Sequence, residues 1–323
     1  MTKPFRFGCQ SFNATSAKDW REKARRAEAL GYSSFLLADH YLGPGPALAA
    51  TNHPVQDVAA IPAAAFAAEA TDHIKVGFRV LCIDNRNPAV LAKELATIDM
   101  LSEGRLEIGL GAGWLKGEYE AMGVPFDPPG VRIERLAETI EVIRAHMGGG
   151  EIAVNGTHVS VNGFEGAPKP VQQPCPPIMI GGGGQRVLTL AGRVADIVSL
   201  NFNNRAGVIG PDGVLTSTAA ETDSKLGWIR AGAGDRFDDI EIEVGAYFTF
   251  VTDDAKGMAS TFGSMFGLDE EQMLEHPHGL FGTVDSICDQ LEERRERFGI
   301  SYVTVGDSAV EAFAPVVERL TGH

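Results

Sequence analysis

The sequence has no long apolar run and little positive charge. No stretch approaches the roughly 18 apolar residues of a membrane-spanning helix, and the opening MTKPFRFGCQ contains no apolar signal core. The 28 Lys and Arg residues are outnumbered by 43 Asp and Glu residues, which gives a formal net charge of −15. These absences argue against nonspecific nucleic-acid binding and against attraction to anionic membranes. We therefore expect a cytoplasmic protein with neither nucleic acid nor membrane as a partner.

Cysteine pairs and several catalytic motifs are also missing. The four cysteines, Cys9, Cys82, Cys175 and Cys288, form no C-x-x-C pair, which argues against a zinc site or a redox dithiol. The sequence contains no G-x-S-x-G, H-E-x-x-H or G-x-x-x-x-G-K-[ST], so a serine hydrolase, a zinc protease and a P-loop nucleotidase lack motif support. We expect free, buried thiols and no metal site.

What the sequence does contain is an alternation of strands and helices along 323 residues. Eight segments predict strands, most of them continuously apolar as in a sheet that is buried on both faces. They are RFGCQSF, SSFLLAD, IKVGFRVLC, LEIGLGAGW, PPIMI, ADIVSLNF, EIEVGAYFTFV and SYVTVG. A doubly wound sheet would give the same alternation, but eight units favour closure into a (β/α)8 TIM barrel. We expect one domain over residues 1–323.

Four long segments follow the second, fourth, sixth and seventh predicted strands. In a barrel all four lie at the carboxyl ends of the strands, the face that carries the active site in characterised barrel enzymes. We expect insertions at this face that cover a pocket, although some of them could be merely tolerated.

The stretch GGGGQR, residues 181–186, lies between the fifth predicted strand and a helix. Glycines at such a junction expose backbone N–H groups at the positive end of a helix, which is a common way to hold phosphate. The predicted phosphate-binding residues are Gly181, Gly182, Gly183, Gly184 and Gln185. Arg186 is a further candidate donor. The alternative is a purely structural tight turn.

A second glycine-rich stretch, GLGAG at residues 109–113, ends the fourth predicted strand. It lacks the full G-x-G-x-x-G dinucleotide motif. Small residues there, Gly111 and Gly113 in particular, could let a flat ring lie against the strand end. Close packing of strand and helix is an equally good interpretation.

Asp39 and His40 end the second predicted strand and are expected to face the pocket. An imidazole can hydrogen-bond to a cofactor or transfer a proton near neutral pH, so His40 is the candidate catalytic residue. A structural hydrogen-bonded pair is the alternative. We predict that Glu118 and Glu120 lie on an exposed helical turn, and that H-P-H at 276–278 forms a turn.

Taken in order, these segments resemble the luciferase-like flavin-dependent oxidoreductases over nearly the whole chain. The stretch NPAVLAKELATIDMLSEGRLEIGLGAGW, residues 87–114, is the most specific part. Within that superfamily the sequence is most similar to members that use the deazaflavin coenzyme F420.

The resemblance implies that the cofactor ring lies over the carboxyl-terminal mouth of the barrel. In the family a bulged peptide at the third strand, often cis without proline, supports the ring, and Arg79-Val80 is the matching dipeptide here. The resemblance also places Asp39 and His40 beside the ring, and residues 182–185 at the phosphate.

One position departs from the family's sugar-phosphate dehydrogenases. Their catalytic glutamate after the fourth strand is replaced by Trp114, which cannot donate a proton and is expected to line the substrate pocket. We therefore predict an F420-dependent oxidoreductase that transfers a hydride to or from an unidentified small organic substrate, and a homodimer by resemblance. The alternatives are an FMN-dependent monooxygenase and a non-catalytic cofactor-binding protein.

Overall fold

Eight parallel strands close into a barrel in the computed structural model, which describes residues 3–323. The barrel strands are β1 Arg6–Gln10, β2 Ser34–Leu37, β3 Lys75–Phe78, β4 Leu106–Gly111, β5 Ile178–Gly182, β6 Ile197–Leu200, β7 Glu241–Ala246 and β8 Ile300–Gly306. Each strand pairs with the next in the chain, and β1 pairs with β8 to close the ring. The predicted (β/α)8 barrel is confirmed.

Thirteen α-helices lie within residues 3–323. They are α1 Ala17–Ala29, α2 Pro46–Ala49, α3 Ala60–Ala70, α4 Pro88–Leu101, α5 Lys116–Met122, α6 Pro129–Met147, α7 Gln185–Val194, α8 Pro211–Leu215, α9 Ala219–Ala233, α10 Ala255–Phe266, α11 Glu270–Leu274, α12 Val284–Phe298 and α13 Val310–Leu320. Eight of them follow the eight strands and surround the barrel, whereas α2, α5, α8, α10 and α11 lie in the four long segments. None of the described helices is both long and apolar enough to span a bilayer.

Helix α1 begins with a side-chain cap. Ser16 accepts a hydrogen bond from the Asp19 backbone N–H at 3.1 Å, which satisfies one of the free donors of the first turn. The Asp19 carboxylate accepts from the Thr15 N–H at 2.8 Å. Trp20 and Ala24, four residues apart on one face of the helix, are buried.

The barrel lumen is more polar than the sequence analysis predicted. On β7, Ile242 and Val244 belong to the core shared with the helices, whereas Glu241 pairs with Arg6 on β1 and Glu243 pairs with Arg79 just after β3. Arg6 also binds Glu107 on β4, and strands so far apart in the sheet can meet only through the lumen. The prediction that most strands are continuously apolar therefore holds for the face toward the helices, whereas the lumen combines these ion pairs with a small apolar cluster that includes Met179.

Two other features differ from the expected pattern. The predicted seventh strand is split, because β7 ends at Ala246 and Phe248–Val251 leaves the barrel to pair with Gly279–Gly282. Between α6 and β5, Glu151–Asn155 and Ser160–Glu165 form an antiparallel hairpin that the sequence analysis did not predict.

The segment after β7, residues 248–282, is here called the roof segment. It contains α10 and α11, and its side chains form with Val214 of α8 a second hydrophobic cluster apart from the main core. The buried members are Val214, Ala259, Leu268, Met273 and Phe281. Together with the other three long segments it follows the carboxyl ends of the strands, an end of the barrel that we call the mouth.

Candidate functional site at the barrel mouth

His40 follows strand β2 at the mouth and is held there by a buried carboxylate. Its Nδ1 lies 2.9 Å from Oε2 of Glu118, a residue of the short helix α5. The other carboxylate oxygen accepts a hydrogen bond from the Tyr41 backbone N–H at 2.6 Å. Because an ionised carboxylate only accepts, Nδ1 of His40 carries the proton and Nε2 is the atom free to exchange one. Nε2 has no hydrogen-bond partner within residues 3–323.

The prediction that Glu118 lies on an exposed helical turn is wrong. Glu120 is exposed as predicted, but Glu118 is buried with 3% of its surface accessible. Leu115, Glu118 and Tyr119 are all buried, and their spacing places them on one inward face of the chain around α5. That spacing is the only signal in the sequence, since the partner His40 lies 78 residues away.

The surroundings of His40 set the charges of the site. Burial opposes ionisation of Glu118, but its hydrogen bond with His40 and the backbone N–H of Tyr41 outweigh burial and lower its pKa. Burial, together with the neighbouring His40, lowers the pKa of His53 to about 4. At neutral pH the site therefore contains an ionised carboxylate and a neutral second imidazole.

Two rings pack against His40. The ring centroid of His53 lies 4.0 Å from that of His40, and Trp114 packs edge-on to His40 at 5.8 Å. Trp114 is only half-buried. Its predicted place in a substrate-facing wall is compatible with this position and stays a prediction.

Asp39 forms a buried ion pair with Arg86. Its two oxygens accept hydrogen bonds from the Arg86 guanidinium at 2.6 and 2.7 Å, and one of them also accepts from the Cys82 N–H at 2.9 Å. The carboxylate is buried and clamps the end of β2 to the segment after β3. The structural alternative considered for this residue fits these contacts, whereas direct cofactor contact by Asp39 stays a prediction. The sequence analysis missed Arg86.

The peptide bond between Arg79 and Val80 is cis, as the resemblance implied. The Arg79 side chain turns into the lumen, where Nε donates to Glu243 at 2.8 Å and Nη1 donates to the Tyr247 hydroxyl at 3.0 Å. Burial disfavours its charge, but the Glu243 carboxylate outweighs burial and raises the pKa of Arg79 above its usual range. The guanidinium of Arg79 therefore binds partners within the lumen. The half-buried side chain of Val80 is the part of this dipeptide that is open to the mouth.

Gly111, Gly113 and Gly181, three of the glycines predicted to bind the cofactor, leave room for the side chains of Val80 and Tyr119. A Cβ on Gly111 would lie 2.8 Å from the Val80 side chain, and a Cβ on Gly181 would lie 3.1 Å from it. Gly113 has φ +72°, and a side chain there would overlap the Tyr119 hydroxyl. These contacts fit close packing, the alternative interpretation of GLGAG, and a cofactor ring against Gly111 and Gly113 stays a prediction.

Gly182 and Gly183 are closely packed, whereas Gly184 has open space beside it. A side chain on Gly182 would overlap Val187, and a Cβ on Gly183 would lie 2.5 Å from the Asn201 carbonyl oxygen. Gly184 precedes α7, and the nearest atom to a Cβ there, in Asn203, is 3.7 Å away. No side chain caps α7, so the N–H groups of its first turn have no partner within the helix.

Gln185 is exposed and lines a cleft of about 520 Å³ between α6 and α7, with Arg186 beside it. Open space thus adjoins the uncapped start of α7. Both side chains are exposed beside the glycine loop, and their role as phosphate donors stays a prediction.

A hydrogen-bonded network of Asn201, Tyr247 and the buried Lys225 lies behind the glycine loop and was not predicted. The Asn201 backbone N–H donates to the Gly182 carbonyl at 3.0 Å, and its side-chain oxygen accepts from the Tyr247 hydroxyl at 3.1 Å. The Lys225 ammonium donates to the Asn201 carbonyl at 2.7 Å. Asn201 thereby links the loop to the lumen pair of Arg79 and Glu243.

His276 and His278 lie in a turn, as predicted, but both side chains are buried. His278 donates from Nδ1 to the Gly245 carbonyl at 2.7 Å and stacks on Tyr247. Burial lowers the pKa of His276 to about 4 and that of His278 well below its usual value. Within residues 3–323 no cluster of three or more His, Cys, Asp or Glu side chains could hold a metal ion.

Comparison with known proteins gives matches throughout the chain. A sequence model described as luciferase-like monooxygenase matches residues 2–209, more than half of the chain. The FMNH2-dependent dimethylsulfone monooxygenase of Pseudomonas putida is 34% identical over 122 residues, which are 38% of this chain and 34% of that protein. The F420-dependent glucose-6-phosphate dehydrogenase of Amycolatopsis mediterranei is 33% identical over 180 residues, 55% of this chain and 52% of that one.

These matches span only about a third and about a half of the two relatives. Among solved structures, the coenzyme F420-dependent tetrahydromethanopterin reductase from Methanopyrus kandleri covers 98% of this chain and 100% of that chain, with a TM-score of 0.76 and 21% identity. At that identity the likeness establishes the fold.

Proposed function

Because the chain belongs to the luciferase-like monooxygenase family, as its motifs predicted, we propose that it is an F420-dependent oxidoreductase that transfers a hydride to or from a small organic substrate. Relatives in this family are oxidoreductases and monooxygenases with F420 or FMN named as cofactor. One observation carries the proposal: a histidine oriented by a buried carboxylate lies at the same mouth as an uncapped glycine-loop helix.

The glycine loop fits a phosphate group. The first-turn N–H groups of α7 carry partial positive charge and have no intrahelical partner, and open space adjoins Gly184. We propose that the backbone from Gly182 to Gly184 and the side chain of Gln185 would hold the phosphate. F420 and FMN both carry a phosphate, so this fit supports either cofactor.

The opposite side of the mouth fits a flat ring. Val80 offers an apolar surface that Gly111 and Gly181 allow to sit close to the strand ends. Trp114 and His40 would border the ring and the substrate. Asp39 and Arg79 would act indirectly, through their buried ion pairs with Arg86 and Glu243.

His40 would hold and move the proton of the reaction. When bound, the deazaflavin would supply the hydride chemistry, which no side chain of the protein can provide. With Nδ1 fixed by Glu118, Nε2 of His40 can accept a proton from a substrate hydroxyl or amine, or return it to a carbonyl or imine. The ionised Glu118 stabilises the imidazolium that forms. The direction of transfer depends on which substrate is bound.

The second candidate is an FMN-dependent monooxygenase, and the dimethylsulfone monooxygenase relative favours it. Equilibrium titration with F420 and with FMN, each oxidised and reduced, separates the two candidates. We expect micromolar binding of F420, followed by a change of the cofactor spectrum with ketones, enones or imines. Micromolar FMN binding without F420 binding would overturn the proposal. Binding with no reaction toward any substrate would favour the third hypothesis, a non-catalytic cofactor-binding protein.

A further inference from the structure

Lys225 is buried without a counter-ion. This residue of α9 is 1% exposed, and its ammonium donates to the Asn201 carbonyl oxygen at 2.7 Å and to the Ser217 hydroxyl. Among residues 3–323 no carboxylate lies within ion-pair distance of it. Lysines are almost never fully buried unless they are paired, and an isolated buried charge is costly. The position therefore needs a reason that the fold alone does not give.

The Lys225 ammonium binds the backbone directly behind the glycine loop. The Asn201 carbonyl stands directly behind Gly183, where a Cβ would lie 2.5 Å from its oxygen, and the Asn201 N–H donates to the Gly182 carbonyl. Lys225 is thus one peptide group away from the loop proposed to hold phosphate. Its positive charge lies on the inner side of the loop, while the open space lies on the outer side.

We propose that Lys225 is a positioning residue of the phosphate site, which fixes the backbone of the glycine loop through Asn201 and whose charge is neutralised by the bound phosphate anion. The inference rests on the proposed phosphate role of the loop. It does not depend on whether the cofactor is F420 or FMN. Binding of the anion supplies the counter-ion that the buried ammonium lacks.

A pH dependence follows from the groups that face Lys225. Burial lowers the pKa of Lys225 to about 7, and Glu221 on the same helix opposes part of the shift. His276 and His278, from the segment packed against it, have lowered pKa values and are neutral at pH 7. Above pH 7 part of the free protein therefore carries neutral Lys225, and binding of an anion restores the proton. Cofactor affinity is expected to fall as pH rises above 7.

The test compares F420 with its phosphate-free deazaflavin chromophore. We expect Lys225→Met, which keeps chain length and removes the charge, to weaken F420 binding by about 10- to 100-fold, the range for hydrogen bonds to charged groups. Binding of the chromophore is expected to change by less than about threefold. Ser217→Ala is the matched control, because it removes a hydrogen-bond partner of the ammonium and keeps the charge.

Calorimetry of the wild type in two buffers of different ionisation enthalpy gives a second measurement that needs no variant. We expect proton uptake at pH 8 on binding F420, whose phosphate diester does not titrate there, and none on binding the chromophore. Equal losses for both ligands in Lys225→Met, or no proton uptake with F420, would overturn the inference while leaving the proposed function intact. Equal wild-type affinity for both ligands would overturn the phosphate site itself, and this inference with it.

Discussion

Asp39 and Glu118 are both buried carboxylates at the mouth of the barrel, but Asp39 pairs with an arginine and Glu118 with a histidine. Asp39 binds Arg86 through two hydrogen bonds, and a guanidinium stays charged at any pH the protein meets. Glu118 binds His40, the residue proposed to transfer the proton of the reaction. The first pair fixes the strand ends, and the second orients the proposed catalytic side chain. Adjacent residues of one strand end, Asp39 and His40, thus have different kinds of partner.

The largest effect is expected from a change in the pair formed by Glu118 and His40. His40→Ala should reduce kcat by about 10²- to 10⁴-fold, the usual contribution of a general acid or base. Cofactor affinity and the free energy of unfolding should change little, because the side chain is partly exposed. Steady-state kinetics, cofactor titration and urea unfolding check this together. An unchanged kcat alongside lost cofactor binding would make His40 an anchor for the ring.

Asp39→Ala should show the opposite profile. Removing the carboxylate leaves Arg86 and the Cys82 N–H without their acceptor, so the free energy of unfolding is expected to fall by about 3 kcal/mol. Activity of the protein that remains folded should fall much less than in His40→Ala. Urea unfolding and kinetics on the folded fraction distinguish these outcomes. A stable Asp39→Ala with no turnover would place Asp39 in the reaction and end the distinction between the two pairs.

Glu118→Gln tests the Glu118–His40 pair directly, because it keeps the shape of the side chain and removes its charge. We expect kcat to fall by roughly 10- to 100-fold, as for other groups that orient a functional imidazole. Cofactor affinity should change much less, because Glu118 contacts His40 and not the proposed phosphate loop. Steady-state kinetics and cofactor titration measure both, and an unchanged kcat would contradict the proposed role of the pair.

The same carboxylate predicts a difference in acid stability. Because the folded pKa of Glu118 is lowered, its stabilising contribution is complete above the unfolded value and is lost as pH falls through the folded one. Wild-type unfolding free energy should therefore decrease more steeply below about pH 4.5 than that of Glu118→Gln. Urea titrations from pH 6 to pH 3 measure both slopes. Parallel slopes would show that Glu118 gains nothing from His40 on folding.

The smallest effect is expected from a change that spares both pairs. Gly184→Val adds a side chain in open space at the start of α7 and should weaken F420 binding by about tenfold, while the pH profile stays that of the wild type. Gly183→Val is unsuitable for this purpose, because its Cβ would meet the Asn201 backbone and disturb the fold. Unchanged affinity in Gly184→Val would place the phosphate elsewhere.

The barrel could be predicted because its signals are local. The barrel strands and most of the helices between them are indicated within about ten residues by apolar runs, caps and turn residues, and the count of eight units favours closure. The glycine loop at 181–184 is a local signal of the same kind. The mouth and the residues that follow its strands could therefore be predicted, whereas the hairpin between α6 and β5 was not.

The partners within the site could not be predicted, because contacts over long sequence separations decide them. From the sequence, Glu118 is indistinguishable from a surface residue, because its partner His40 lies 78 positions earlier and meets it only in the folded chain. Arg79 matches a family position, but only the folded lumen shows that its guanidinium serves Glu243, 164 residues away. A charged residue in a strand gives no sign of whether it faces water or an opposite charge. Lys225 was missed for the same reason.

The cluster that the roof segment forms with Val214 is separate from the main core of the barrel. Substitutions among Ala259, Leu268, Met273 and Phe281 would therefore alter packing within this cluster and leave the buried residues of the main core in place. We expect the roof segment to tolerate sequence change more readily than the barrel strands.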